Sequence, residues 1–561
     1  GSNNFKGQLG SLSQGFSSSQ NYNLEGQLSY SLQADKHALD AVGVVTFADR
    51  SNVSNSFVFT DFPDDSKQTA LWQGSNYKNH SGNEGCSILF STVLRASYRY
   101  AGRYLLTASI RSDVSSNFAP EYRKDFFPSI GLGWIVSDEK FMKPVKKWVP
   151  YLKFRGSMGK TGIAASGSTD AKNVFRNTKY MDLPAVIPYQ IGNEELKWET
   201  TMQYDAAVEF ALLKGSKIRG SVGWYMKDTE GLLNTITLPP SAGMDKVNVN
   251  IATIRNTGIE FELSSTLLRK KNFSWDFSIN VSKNVNKITG LDKEFTSSLS
   301  GGTDLDNTVI QEGKSVGLFY GFKTDGIFQT QSEIDRLNAG APKGWTWQDG
   351  DAERGERPTT PGDIKYCDLN GDGYVDLANV RTSADRTVLG TSLPNFTGGF
   401  NTSFNYKNWN LGIHGTFSYG GKKYWAAMSK QFTIEPTTPK NLLNIALKRW
   451  TPENPSNKYP KIRLVNNNST YFSDFFLYDA SFLKIQNISL SYRLPGEWLK
   501  KIPVLSDISF SASVNNPFTF TPYPGPNPES YSSNKIQGSA LDYSMFPEFM
   551  TINFGVRVQF N

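Results

Sequence analysis

Ten consecutive residues, 273–282, alternate without a break between apolar and polar. Phe273, Trp275, Phe277, Ile279 and Val281 fall on one side, and Ser274, Asp276, Ser278, Asn280 and Ser282 on the other. Successive side chains of an extended strand point to opposite faces, so this period of two describes a strand with one face in an apolar medium and one in a polar medium. The pattern returns at Ile508, Phe510, Ala512 and Val514, with Ser509, Ser511 and Ser513 between them. It returns again at Ile552, Phe554, Val556, Val558 and Phe560, separated by Asn553, Gly555, Arg557 and Gln559. Two architectures give such strands: a β-sandwich, and a transmembrane β-barrel whose outer face meets lipid.

Strand length and connection length separate the two. Globular strands average about 5–6 residues. A tilted membrane-crossing strand needs about 9–11, and the alternating segments here run to roughly 9–16. The connections also alternate. Short turns fall near 34–36, 101–103, 214–215, 269–272 and 407–408, and long stretches at about 50–87, 162–195, 228–252, 285–394, 421–477 and 521–548. Short turns on one side of a membrane and long loops on the other are the outer-membrane arrangement, which a sandwich has no reason to keep. The expected fold class is therefore all-β, a transmembrane antiparallel barrel. Fifteen spanning strands are read, near 21–33, 38–49, 88–100, 104–112, 126–137, 151–160, 196–212, 216–227, 253–267, 273–284, 395–406, 409–420, 478–493, 507–520 and 549–560. The strand-like stretch 317–328 is assigned to the outer loop region, because counting it would reverse the side of the 407–408 turn.

Composition narrows the class further. The 74 aromatics (12 Trp, 25 Tyr, 37 Phe) in 561 residues exclude disorder. No uncharged apolar run reaches about 18 residues, so a helical membrane protein is excluded. A net charge of +7, spread without long Lys/Arg blocks, argues against nucleic acid as a partner. Two cysteines, Cys86 and Cys367, and three histidines build neither a zinc motif nor a disulfide framework, although one long-range disulfide remains open. The chain opens Gly1-Ser2-Asn3-Asn4-Phe5, without a signal-peptide pattern, which suggests a processed product or part of a larger chain. An odd strand count points the same way, since bacterial barrels close with even numbers.

Several separate stretches then carry a family likeness: Arg111-Ser-Asp-Val-Ser-Ser-Asn-Phe-Ala-Pro120 with Phe126-Phe-Pro-Ser-Ile-Gly-Leu-Gly-Trp134, Asn193-Glu-Glu-Leu-Lys-Trp-Glu-Thr200 and Arg255-Asn-Thr-Gly-Ile-Glu260. They continue with Gly362-Asp-Ile-Lys-Tyr366, Asp368-Leu-Asn-Gly-Asp-Gly373, Asp385-Arg-Thr-Val-Leu-Gly390, Pro394-Asn-Phe-Thr-Gly-Gly-Phe400 and Arg449-Trp-Thr-Pro-Glu-Asn-Pro455. With the closing strand, this series resembles the C-terminal part of the SusC/RagA-type TonB-dependent outer-membrane transporters of Bacteroidetes. The resemblance implies a barrel of 22 strands, of which residues 1–561 would supply the last fifteen. It also implies a plug domain, a TonB-contacting segment and seven earlier strands that lie outside this sequence. The expected location is the outer membrane, with bilayer lipid around the wall. The expected function is nutrient import with a SusD-like surface lipoprotein, the cargo being an oligosaccharide or a peptide. The alternative is a barrel of the same type serving as a structural subunit of a larger outer-membrane complex.

One stretch carries chemistry of its own. Asp368, Asn370, Asp372, Gly373, Tyr374 and Asp376 occupy positions 1, 3, 5, 6, 7 and 9 of an EF-hand-type loop, whose alternating oxygens converge on a hard cation. Calcium, structural rather than catalytic, is the expected ion, held by Asp368, Asn370, Asp372, the Tyr374 carbonyl and Asp376. Position 12 is Asn379 rather than an acid. Asp385, which matches the family's usual Asp beyond an apparent insertion at 377–384, is the expected closing ligand of a loop spanning 368–385 within the long 285–394 excursion. The competing reading is an Asx-rich surface turn without an ion. The loop aromatics Trp345, Trp347, Tyr424 and Trp425 are expected to pack on one another, the alternative being stacking on sugar rings or prolines of a ligand, and His414, Glu260 and Glu262 to be wall residues. No nucleophile–base constellation, phosphate loop or dinucleotide fingerprint is present, and an enzyme is not expected.

Overall fold

A computed structural model describes residues 10–62, 74, 76–164, 170–181, 183–215, 217–237, 241, 243, 246–291, 295–297, 307–349, 359–377, 383–434, 441–464, 471–499, 504–529, 541–543 and 547–560. Two compact units emerge. The first comprises Gly1–Glu139, Lys153–Ala206 and Lys227–Thr253, and the second Lys140–Leu152, Ala207–Met226 and Ile254–Asn561.

In the first unit the strands Gly10–Ala34, His37–Phe62, Asn76–Tyr100, Tyr104–Ser115, Lys124–Ile135 and Tyr151–Ile163 pair antiparallel in chain order. In the second, Phe273–Leu291, Phe396–Tyr406, Trp409–Tyr419, Phe482–Arg493, Leu505–Phe520 and Thr551–Phe560 do the same. Three further strands, Glu199–Leu212, Ile218–Thr237 and Lys246–Lys270, are divided between the units, as are the first two residues of Tyr151–Ile163 from its remainder. These are the fifteen strands expected from the alternation. A small hairpin, Val174–Tyr180 with Leu183–Ile191, brings the sheet to 17 strands.

The short turns depend on left-handed residues. Asp35 (φ 49°), Ala101 (49°), Gly102 (70°) and Lys407 (50°) adopt the positive φ that tight hairpin turns need to match the strand twist. Neighbouring turns are tied along the edge by backbone bonds such as Ala101 N–H to the Lys36 carbonyl (2.7 Å) and Lys407 N–H to the Asn272 carbonyl (2.9 Å).

At the other end two expected long connections are strand instead. His37–Phe62 pairs with Asn76–Tyr100 as far as Thr60↔Asn76, with one register shift between Val58 and Phe59, so most of 50–87 is a protruding hairpin. Most of 228–252 is likewise strand. Such 25- and 26-residue strands exceed what a bilayer requires. The alternation rule stops where both faces become polar, as at Ser51, Asn52, Ser54, Asn55 and Ser56, yet the ladder of backbone hydrogen bonds continues. The stretch 317–328 is off the wall, as expected: Leu318–Phe322 pairs with Thr308–Ile310 and Arg386–Thr391 in a separate four-stranded sheet.

The second unit has a hydrophobic core built from its long excursions. Phe319, Phe322, Ile364 and Tyr366 come from the first, Tyr424, Phe432 and Phe476 from the second, and Tyr523 and Leu541 from the third, all buried together. Cys86 and Cys367 are both free thiols, so the long-range disulfide left open by the sequence does not form.

Candidate functional site

Residues directly opposite in an antiparallel ladder share a sheet face. The register Phe273↔Tyr406, Trp275↔Phe404 and Ile279↔Phe400 therefore assembles an apolar face, with Trp275 stacked on Phe404 at 5.4 Å. The other face joins Ser274 to Asn405, whose side chains bond at 3.0 Å, and Ser278 to Asn401. His414 lies opposite Asn401 and hydrogen-bonds it at 2.7 Å, a wall residue as expected. Glu260 and Glu262 alternate with Ile259 and Phe261 and are exposed.

On this polar face of the second unit, at the short-turn end, lies a cavity of about 640 Å³. Lys214, Lys217, Arg219 and Arg269 line it, facing a single carboxylate, Asp276. Asp276 accepts a hydrogen bond from the Thr266 hydroxyl at 2.7 Å. Four cations around one acid give the cavity a positive field that attracts anionic groups.

The first unit holds a different pocket, of about 390 Å³. The Lys160 ammonium sits 2.9 Å from Asp125, and the Lys197 ammonium lies 5.0 Å over the Tyr122 ring. Trp198, buried at the base, donates its indole N–H to the Tyr122 carbonyl at 3.1 Å. Charges of both signs beside an aromatic floor suit a polar ligand rather than an apolar one.

The expected calcium loop is folded as a run of Asx turns. The Asp368 carboxylate accepts from Gly371 N–H (2.6 Å) and Gly373 N–H (2.8 Å). Asn370 accepts from Asp372 N–H (3.1 Å), and Asp372 from Tyr374 N–H (3.2 Å). Gly373, at φ 93°, makes the sharp bend the motif requires. Asp385 is fully buried and clasps both ends of the loop, accepting from Leu369 N–H (2.9 Å) and Asp376 N–H (3.0 Å). The structure thus brings Asp368, Asn370, Asp372 and Asp385 into one small network with the strand end at Asp376. The hard oxygen donors and the curvature are those a calcium loop uses, and the Asx turns are those of the ion-free reading. The carboxylates themselves do not converge: among the described residues no three Asp, Glu, His or Cys side chains gather as a metal-holding group. The Asn370 amide instead donates to Asp372 at 2.8 Å. Asn379 and residues 378–382 lie outside the described residues.

Of the loop aromatics, Tyr424 and Trp425 are core, Trp347 packs against that core, and Trp345 stands half-exposed with its ring 4.4 Å from Tyr374. Sequence reasoning missed the ionic clasp between the first two excursions. Asp363 is buried against Arg463, with Lys461 at 3.8 Å and Thr360 N–H donating at 2.8 Å. Burial raises the Asp363 pKa, opposed by the two cations. Burial also pushes Lys461 down to about 8, partly offset by Asp363. Lys423 is similar, lowered by burial to about 8 while donating to the Pro528 carbonyl. The Gly362-Asp363 pair was visible as a family-like motif, but nothing local marks its partner, 100 residues away.

Residues 1–516 match the family model described as "TonB dependent receptor-like, beta-barrel". TonB-dependent receptor P39 of Formosa agariphila is 31% identical over 511 residues, covering 86% of this chain and 47% of the relative. TonB-dependent receptor SusC of Bacteroides thetaiotaomicron is 28% identical over 484 residues, covering 84% of this chain and 44% of that protein. The fold is shared with the solved "Structure of the RagAB peptide transporter", at a TM-score of 0.77 and 19% identity over 98% of this chain and 56% of that one. The chain thus spans about half the length of the curated relatives it matches. The motif series, the two-faced sheet and these relationships agree: this chain belongs to the TonB-dependent receptor-like β-barrel family, of SusC/RagA type, and is an outer-membrane protein.

Proposed function

We propose that the chain forms the C-terminal wall of a SusC-type, TonB-dependent importer that works with a SusD-like surface lipoprotein to take up oligosaccharides or peptides. The observation that carries this reading is the polar sheet face with its cation-lined cavity behind an apolar outer face, which a purely scaffolding wall does not require. The mixed-charge pocket of the first unit adds a second polar contact for a cargo. The long excursions supply the docking surface for the lipoprotein, and energy reaches the wall from TonB through an N-terminal portion. No chemical step is assigned to any residue.

The test is uptake. Cells expressing the whole protein are given labelled oligosaccharides and labelled peptides, with and without an uncoupler of the proton-motive force. Uptake that needs both the protein and the force supports import. Equal uptake by cells lacking the protein, across both cargo classes, leaves the scaffold reading in its place.

Calcium at Asp368, Asn370, Asp372, the Tyr374 carbonyl, Asp376 and Asp385 is part of the same proposal. The oxygen donors at alternating positions and the Asp385 clasp on both ends of the loop support it. Calcium titration of the whole protein, followed by protection of 363–390 from proteolysis, tests it.

A further inference from the structure

Most turns on the short-turn side take two to four residues, but residues 136–150 form a longer element between the strands ending at Ile135 and beginning at Tyr151. Within it a 3-10 turn at Lys140–Met142 and the turns that follow carry Phe141, Val145 and Trp148. They are 63%, 43% and 63% exposed. Lys140, Lys143, Lys146 and Lys147 interleave with them, all exposed, and the element's two acids, Asp138 and Glu139, stand at its start, Glu139 paired with Arg103 at 2.7 Å. The backbone is ordered rather than slack. Val145 N–H bonds the Met142 carbonyl (3.1 Å), Trp148 N–H the Val145 carbonyl (2.8 Å), and the Trp148 carbonyl is pinned by Leu213 N–H (2.7 Å).

The same combination occurs a second time in this unit. The connection after Arg493 carries Trp498, 60% exposed, and its sequence continues Lys500-Lys501. The adjacent wall supplies Tyr406 and Trp409, 52% and 46% exposed, around the 407–408 turn. Aromatics of this kind mark the level of the lipid headgroups, because their rings are apolar and their tips polar.

We propose that residues 140–148 bind the headgroups of anionic phospholipids in the leaflet on the short-turn side of the membrane. Phe141, Val145 and Trp148 wedge into the headgroup–acyl boundary. The four ammonium groups extend from their alkyl stems to the phosphates. A protein partner fits poorly: a stable protein interface buries about 800 Å² a side around an apolar centre, and here only three apolar side chains stand among four lysines. Lipid supplies both an unlimited apolar surface and the opposite charge.

The whole protein is reconstituted in nanodiscs of phosphatidylethanolamine containing a minor fraction of phosphatidylglycerol, and the lipid it retains on extraction is read by native mass spectrometry. The expected result is preferential retention of phosphatidylglycerol that falls about tenfold or more when Lys140, Lys143, Lys146 and Lys147 are all changed to Gln. Raising the salt concentration should lower retention by the unaltered protein too, a readout that needs no variant to fold. Retention without preference for the anionic lipid, retention indifferent to salt, or equal retention by a folded Gln variant overturns the proposal.

Discussion

Phe510, in the wall strand Leu505–Phe520, is 45% exposed although paired on both sides, whereas Phe322 and Phe432, in the long excursions, are fully buried and Phe476 is 1% exposed. The same residue type is used in opposite ways within one unit. Along the wall the apolar side chains point away from the protein because the bilayer is their solvent, and the polar ones point back. In the excursions, which stand beyond the strands, water is the solvent. There Phe319, Phe322, Tyr366, Tyr424, Phe472 and Phe476 stack inward like the core of a soluble domain. An outer-membrane chain of this kind therefore folds against two solvents, and mutations should separate the two regions cleanly.

The largest effect is expected in the excursion core. Phe476→Ala removes a buried ring packed on Phe432 at 6.2 Å and Phe475 at 5.1 Å, at a cost of about 3–5 kcal/mol. The loss should be local: faster proteolysis within 307–479 while the sheet keeps its resistance to detergent and heat. Equal loss of sheet and excursions would mean that the two regions fold as one.

The wall is tested by charge. Phe277→Arg, on the apolar face, should cost about 2–4 kcal/mol in a bilayer, and Ser278→Arg, one residue on, far less. Equilibrium unfolding in lipid vesicles reads the difference. Spin labels at 276, 278 and 280 should be less lipid-exposed than labels at 275, 277 and 279, and the reverse order would invert the register.

How much of each region was legible follows from the same contrast. Lipid imposes a period of two, so Phe273 to Val281 declared the strand, its face and its medium together, and all fifteen wall strands were readable. The protruding hairpin over 50–62 was not, because Ser51, Asn52 and Ser54 need no alternation in water. The excursion core has no period at all. Asp363 and Arg463 meet across 100 residues, and Tyr424 meets Phe472 across 48, through tertiary packing that no local pattern encodes. The candidate calcium loop stood between these cases. Its ladder of oxygens was visible in Asp368, Asn370 and Asp372, but the burial of Asp385 as a clasp on Leu369 and Asp376 was not.

Calcium sharpens the comparison at a smaller scale. With a dissociation constant of about 10⁻⁴ M, 1 mM calcium would stabilise the loop by about 1.4 kcal/mol. Chelation should therefore speed cleavage within 363–390 about tenfold and leave the wall unchanged. Asp368→Asn should abolish the calcium response. If protection is the same in chelator and in calcium, the loop holds without an ion.

The last effect expected is a pH response confined to the excursions. Lys461 and Lys423 have folded pKa values near 8, lowered by burial from the usual 10.5. Between those values the unfolded segment binds more protons than the folded one, so stability rises with pH across that window. Below about 8 both lysines are charged in either state, and the cost of burying them is fully present. Asp363 works in the opposite sense at the acid end. Its raised pKa means that the folded state binds the extra proton, so stability falls as pH rises through the carboxylate range. From pH 7 to 9 only the lower part of the lysine window is crossed, which is worth up to about 1.3 kcal/mol for each lysine, so excursion proteolysis should slow by about tenfold or more, once corrected for the protease's own pH profile. Lys461→Met together with Lys423→Met should flatten the response. A slope that survives both substitutions would place its origin elsewhere, and a matching slope in the unfolding of the wall would remove the distinction between the two regions.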